Sequence, residues 1–228
     1  MNIKTLSKFL IVVIFAAAAV NYYGCNEENI INPVSSYGYI SVYHTLAGGP
    51  NVDILINGSV VASDVAYLER INYQQLTSGN NSLQIVAGGT TVIDTTIFLA
   101  ENNYYSVFVY NNNGIKPLIV KDDLTSPGNV NASVRFIHLA PVTPAVDIGA
   151  DSKPSPWFPF YSYGQVSNFR PVTGGTYTLY MNLAGTSTNI AGLANQNLTA
   201  NGIYTIIAKG VTGGTGSQAL GLLVYQNQ

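Results

Sequence analysis

His44-Thr45-Leu46-Ala47-Gly48-Gly49-Pro50-Asn51-Val52-Asp53-Ile54 and His138-Leu139-Ala140-Pro141-Val142-Thr143-Pro144-Ala145-Val146-Asp147-Ile148 are one phrase written twice, H-x5-P-x-V-D-I, 94 residues apart. The agreement continues outward in order. Tyr67, Tyr73, Leu76, Gly79 and Leu83 align with Tyr163, Phe169, Val172, Gly175 and Leu179 at a spacing of 96, and Leu99 and Tyr105 align with Leu198 and Tyr204 at 99. Order is kept and the spacing only grows, which is how a tandem duplication with loop insertions reads.

Both copies read as strands. In the first, Tyr39–His44, Val52–Asn57, Val60–Ala62, Asn72–Leu76, Ser82–Ala87, Thr91–Leu99, Tyr104–Tyr110 and Ile115–Lys121 are short runs rich in β-branched and aromatic residues. Asn57-Gly58 is a two-residue hairpin signal. In the second, strands are expected at Val134–Leu139, Ala145–Ile148, Tyr163–Phe169, Thr176–Leu183, Ile203–Lys209 and Leu220–Tyr225. The fold class is all-β: two tandem antiparallel β-sandwich domains of immunoglobulin-like kind, with a small barrel as the alternative. The expected division is residues 37–123 and 132–228, joined by 124–131, where Pro127-Gly128 breaks the pattern and leaves room for a short hinge.

Composition narrows the function. Of 228 residues only 9% are charged, against 47% hydrophobic, and the net charge is −2. No basic surface is available for nucleic acid, so that partner class is set aside. One cysteine excludes an internal disulfide and a thiolate zinc site. No cofactor or metal is expected.

The amino terminus reads as an address. Lys4 and Lys8 precede an unbroken apolar run from Phe9 to Val20. Twelve residues reach about 18 Å, short of a bilayer's hydrocarbon core, so this is a signal-peptide core rather than a span. The only cysteine, Cys25, follows it behind Gly24. That placement resembles the lipobox of bacterial lipoproteins, although Tyr22 stands where Leu is usual. The resemblance implies a signal peptide over 1–24, acylation of Cys25, a tether over 25–36 and an outer-membrane lipoprotein; Glu27 and Glu28 just past the cysteine resemble the signal that sends some lipoproteins to the outer face, with a solvated tether as the alternative. An ordinary secretory peptide cut near Ala18 or Ala19 is the alternative.

The repeated phrase, the turn Gly175-Thr176-Tyr177 and the late strand Tyr204-Thr205-Ile206 resemble the domain of unknown function 4397 (DUF4397) family. Val134-Arg135-Phe136-Ile137-His138-Leu139-Ala140-Pro141 carries the closer match. The first copy departs at Thr45–Gly49 and at Asn80-Asn81. The resemblance implies extracellular β-sandwich modules and brings no catalytic residues.

Three candidate sites follow. His44 with Asp53, and His138 with Asp147, form a repeated pair. An imidazole and a carboxylate suit general-base chemistry, which makes a hydrolase-like enzyme using His138 and Asp147 the alternative function. No nucleophile recurs beside them, so the expected role is structural, with Asp orienting His. Trp157, Phe158, Phe160, Tyr161 and Tyr163 crowd one Pro-rich stretch that cannot be a central strand. They are the candidate binding surface for a glycan or an envelope protein, provided that they stand exposed in a row; packing is the alternative. Asp94-Thr95-Thr96 resembles an O-glycosylation acceptor at Thr95. The sequence thus describes a non-catalytic envelope module, held to the membrane by lipid, for binding or for structure.

Overall fold

The computed structural model describes residues 36–151 and 155–228. The expected signal peptide, Cys25 and the expected tether up to residue 35 lie outside the described residues. The first copy supplies β1 (Tyr37–His44), β2 (Val52–Ile56), β3 (Ser59–Val65), β4 (Arg70–Thr77), β5 (Gly79–Ala87), β6 (Thr90–Leu99), β7 (Tyr104–Asn111) and β8 (Ile115–Asp122). The second supplies β9 (Asn131–His138), β10 (Val146–Ala150), β11 (Phe158–Tyr161), β12 (Arg170–Thr173), β13 (Gly175–Leu183), β14 (Asn189–Leu198), β15 (Ile203–Lys209) and β16 (Gly221–Gln226). A single 3₁₀ turn, Gly216–Gln218, precedes β16.

Each copy divides its strands between two open four-stranded sheets. The first pairs an inner sheet β4-β1-β7-β8 with an outer sheet β3-β2-β5-β6. The second pairs an inner sheet β12-β9-β15-β16 with an outer sheet β11-β10-β13-β14. The barrel alternative falls, because the sheets do not close. The sandwich reading holds with one amendment. β1 runs parallel to β7, and β9 parallel to β15, at the centre of each inner sheet. Neither pair is joined by a hairpin, since the chain visits the outer sheet between them, so nothing forces antiparallel pairing there.

Burial separates the sheets. Strands of the outer sheets alternate, as in β2, where Val52, Ile54 and Ile56 are buried between half-exposed Asp53 and Leu55. One face meets the core and the other meets water. Ile54, Leu83 and Ile85, essentially inaccessible, each contribute about 1.5–3 kcal/mol by burial. The central inner strands do not alternate: β9 is buried from Ala132 to His138 and β15 from Ile203 to Ala208. The inner sheets are covered on both faces at their central strands. One face packs within its own sandwich. The other joins a third core of Tyr43, Phe108, Tyr110, Ile137, Leu139 and Ile207, drawn from both copies. Residues 35–228 are accordingly one compact unit.

Local sequence explains most elements. Asn57 and Gly58 take φ of 50° and 76°, the paired positive values of a type I′ turn. The second copy corrects three expectations. Tyr163–Phe169 is a turn and an irregular stretch, and the strand begins at Arg170. Ser167 is the reason: its Oγ accepts the Phe136 N–H at 2.8 Å, replacing a ladder bond with a side-chain bond. β14 forms in a stretch whose Asn, Gly and Ala content hid it. Phe158–Tyr161 forms β11 despite Pro159, at a sheet edge, where a missing N–H is tolerated.

Candidate functional site

His44 and His138 end β1 and β9 and are fully buried. Each Nε2 meets the carbonyl of the proline six residues on, Pro50 at 3.0 Å and Pro144 at 3.3 Å. Each Nδ1 accepts the N–H two residues on, from Leu46 and from Ala140, at 3.4 Å. These bonds suit the neutral tautomer with its proton on Nε2. Burial lowers both imidazole pKa values, and the proline carbonyls only partly oppose it. With both nitrogens engaged, neither ring keeps a lone pair for abstracting a proton. The ring that recurs beside each histidine is a tyrosine, edge-on at 6.1 Å: Tyr67 on His44 and Tyr163 on His138.

The aspartates do not orient the histidines. Asp53 Oδ1 accepts the Asp64 N–H at 2.9 Å, and Asp147 Oδ1 accepts the Phe160 N–H at 2.7 Å. Asp64 and Phe160 have φ of 55° and 60°. In both copies two residues of the edge strand oppose the single aspartate, and the register shifts there. The aspartate therefore caps a β-bulge whose second residue is left-handed. Asp147 also accepts the Gly185 N–H at 2.8 Å through Oδ2, tying the β13–β14 hairpin to the bulge. The repeated pair is thus two separate devices. His closes the loop of the phrase, and Asp shapes the neighbouring strand.

The aromatic stretch is the second copy's version of β3, since Phe158 and Tyr161 pair with β10 as Ala62 and Val65 pair with β2. It does not present an exposed row. Phe158 is 3% exposed, and Trp157 and Tyr161 pack on the same core. Tyr163 packs on the third core. Phe160 alone points out, at 66% exposure, because the bulge turns it away. It does not stand by itself on the outer sheet. Its ring lies over Gly185, 3.3 Å from where a Cβ would be. Tyr180 lies across Gly149, in space that a Cβ would need. Burial and the Asp147 charge raise the Tyr180 pKa. Phe160 and Tyr180 thus share one face with Asp147.

Thr95 is half-buried, in the alternate row with Ile93, Ile97 and Leu99 that faces the core, and it pairs with Leu83. The exposed hydroxyl of that tripeptide belongs to Thr96. Cys25 lies outside the described residues.

Sequence reasoning missed the junction between the copies. The Tyr67 hydroxyl accepts the Gly210 N–H at 2.9 Å, and the Tyr163 hydroxyl donates to the Asn111 carbonyl at 2.5 Å. Burial, with Tyr110 nearby, pushes the Tyr163 pKa up to about 12. A closed polar ring lies deeper. Tyr73 and Ser106 donate to Asp122 Oδ2 at 2.6 and 2.7 Å. Asp122 Oδ1 pairs with Arg135 Nη1 at 2.5 Å, both side chains being essentially inaccessible. Arg135 Nε donates to Thr205 Oγ1 at 2.9 Å, and Thr205 donates to Asn227 Oδ1 at 2.7 Å. Asn227 returns to the Tyr73 hydroxyl at 3.3 Å. An arginine amid the apolar residues of β9 was the available signal, because a buried charge requires a partner.

Residues 38–149 match the family model described as Domain of unknown function (DUF4397). The match runs from β1 into β10 and so contains both copies of the phrase. Comparison with curated proteins gives no match. Among solved structures, the chain is similar to a leucine-rich repeat protein from Bacteroides thetaiotaomicron, at 10% identity and a TM-score of 0.21. That likeness covers 82% of this chain, which spans only 27% of the other. It is also similar to a family CBM26 module from Eubacterium rectale Amy13K, in complex with maltoheptaose, at 11% identity and a TM-score of 0.27, covering 82% and 96%. At these TM-scores neither likeness bears on a ligand.

Proposed function

We propose, for a chain with a DUF4397 match over residues 38–149, a non-catalytic binding module of the cell envelope that is held to the outer membrane by acylated Cys25 and faces outward. The observation that carries the non-catalytic part is the placement of the repeated histidines: buried and bonded through both nitrogens. The same chemistry speaks against a hydrolase built on His138 and Asp147, because Asp147 is occupied by two backbone N–H groups. The recognition surface is the outer face of β11-β10-β13-β14. There Phe160 and Tyr180 offer flat apolar area suited to stacking against a sugar ring.

The test is a glycan and envelope-extract binding screen with the intact chain, Phe160→Ala and Trp157→Ala. Phe160 is exposed, so its removal leaves the fold intact, and binding is expected to fall in that variant. Retained binding in Phe160→Ala would move the surface elsewhere, and no binding by any protein would leave a structural role. Labelled palmitate incorporation, lost in Cys25→Ser, checks the anchor; an unlabelled wild type would favour simple secretion.

A further inference from the structure

A second recess lies at the junction, away from the Phe160 face. In the first copy β4 pairs with β1 from Arg70 to Thr77, with a register shift between Ile40 and Val42, at Ser41. The aligned stretch of the second copy bridges β9 at Ile137–Val166 and bonds Phe136 through Ser167, and the pairing is then interrupted beside Arg135 until β12 begins at Arg170. The interruption borders a cleft of about 390 Å³, lined by Lys121 and Asp123 from one copy and by Arg135, Val166, Asn168 and Phe169 from the other.

Arg135 is 1% exposed and stands where the first copy has Ser41. Its Nε and Nη1 are taken by Thr205 and Asp122, neither of which lines the cleft. Its Nη2 is buried without a hydrogen-bond partner among the described residues. Its guanidinium sits 4.7 Å from the Phe169 ring centre. A buried guanidinium N–H lacking an acceptor is costly, so this position calls for one.

We propose that the junction cleft binds a monocarboxylate with a sugar-sized body, its carboxylate held by Arg135 Nη2 and Lys121 and its body against Phe169 and Val166. A carboxylate supplies only acceptors, which is what the unfilled guanidinium edge needs. With Arg135 already paired to Asp122, the remaining charges of the lining are Lys121 and Asp123, a near-neutral surround that suits one negative charge better than two. A dianion such as phosphate would bring a second negative charge against Asp123. A cleft of this size is within the range of small-ligand sites.

Calorimetric titration of the full chain in detergent, with glucuronate, glucose and inorganic phosphate in turn, tests the assignment. Glucuronate should bind about tenfold tighter than glucose, the difference expected from one charge-assisted hydrogen bond. Lys121→Gln, at an exposed position, should weaken glucuronate severalfold and leave glucose unchanged. Arg135→Lys, which keeps the charge but removes Nη2, should remove the preference if the variant folds; Lys121→Gln decides the matter if it does not. Phe160→Ala should leave glucuronate binding intact, so this site and the outer-sheet surface fail separately. Equal binding of glucuronate and glucose, tighter binding of phosphate, or no binding at millimolar concentrations would overturn the proposal, the last meaning that water alone fills the cleft.

Discussion

Replacing Asp122 with an asparagine removes one charge from the centre of the junction and leaves Arg135 behind. Both side chains are essentially inaccessible and their charged atoms are 2.5 Å apart. Two unit charges about 4 Å apart at an effective dielectric of about 20 attract by about 4 kcal/mol. Removing one partner of a buried pair costs about 3–5 kcal/mol, because the survivor stays desolvated. The introduced amide oxygen would still accept from Tyr73 or Ser106, so the hydrogen bonds at this position survive in part and the loss is mainly the ion pair. Urea unfolding of the chain from residue 35 onward should therefore show Asp122→Asn destabilised by about 3–5 kcal/mol with an unchanged m-value. Arg135→Met, of similar volume, should cost about as much, since Asp122 is then the stranded charge. The double variant should lie much closer to the wild type than the sum of the singles, because it strands neither charge. A single variant costing less than about 1 kcal/mol, or strict additivity, would refute the account of a desolvated, coupled pair.

Val142 is 88% exposed with φ of 54°, where the first copy has Gly48 at 74°. Val142→Gly should raise stability by about 1 kcal/mol, read as a higher urea midpoint, since relief of the left-handed valine outweighs the added backbone entropy. Asp147→Ala should destabilise more than Asp53→Ala, by about 1 kcal/mol in urea unfolding, because buried Asp147 leaves two N–H groups unmet and half-exposed Asp53 leaves one. The folded imidazole pKa values lie below the ordinary 6.5. Stability from His44 and His138 is therefore complete above that value and lost as pH falls through the lowered one. Urea midpoints should decline below about pH 6.5, before carboxylates titrate. The double His→Gln variant should lack that decline; a flat wild-type profile would count against buried neutral histidines.

Much of the architecture could be read from the residues. The repeat, the Asn57-Gly58 turn and most strands were visible because period, β-propensity and turn chemistry are local. The role of Asp53 and Asp147 was not, because their partners are backbone N–H groups of Asp64 and Phe160, and no side chain there announces a left-handed bulge. Packing of Trp157 and Phe158 turned on register against β10, which composition cannot supply. The third core could have been suspected. Ala132–Leu139 and Ile203–Ala208 run apolar with little alternation, the mark of strands covered on both faces. Tyr67 and Tyr163 were aligned in the repeat, yet their common place against the histidines needed coordinates.

The junction also shows why two copies are not simply one copy twice. Tyr67 reaches Gly210 and Tyr163 reaches Asn111, and Gly210 and Asn111 stand at the ends of β15 and β7 at the same 99-residue spacing as Tyr204 and Tyr105. Each copy thus uses the same patch on the other, as in a twofold dimer. The polar ring breaks that equivalence. Arg135 replaces Ser41, Asn227 replaces Asp122, Phe169 replaces Tyr73 and Thr205 replaces Ser106. A pairing of two first copies would bury two Asp122 carboxylates without an arginine. A pairing of two second copies would bury two guanidinium groups without a carboxylate. Only the mixed pair is neutral, so charge selects the partner that hydrophobic burial alone would not. Residues 36–123 and 124–228 made as separate chains should therefore associate with each other in preference to themselves, as native mass spectrometry would register. Asp122→Asn with Arg135→Ser, which makes the ring nearly symmetric, should erase the preference. Self-association of either half as strong as the mixed pair would show that the ring does not choose the partner.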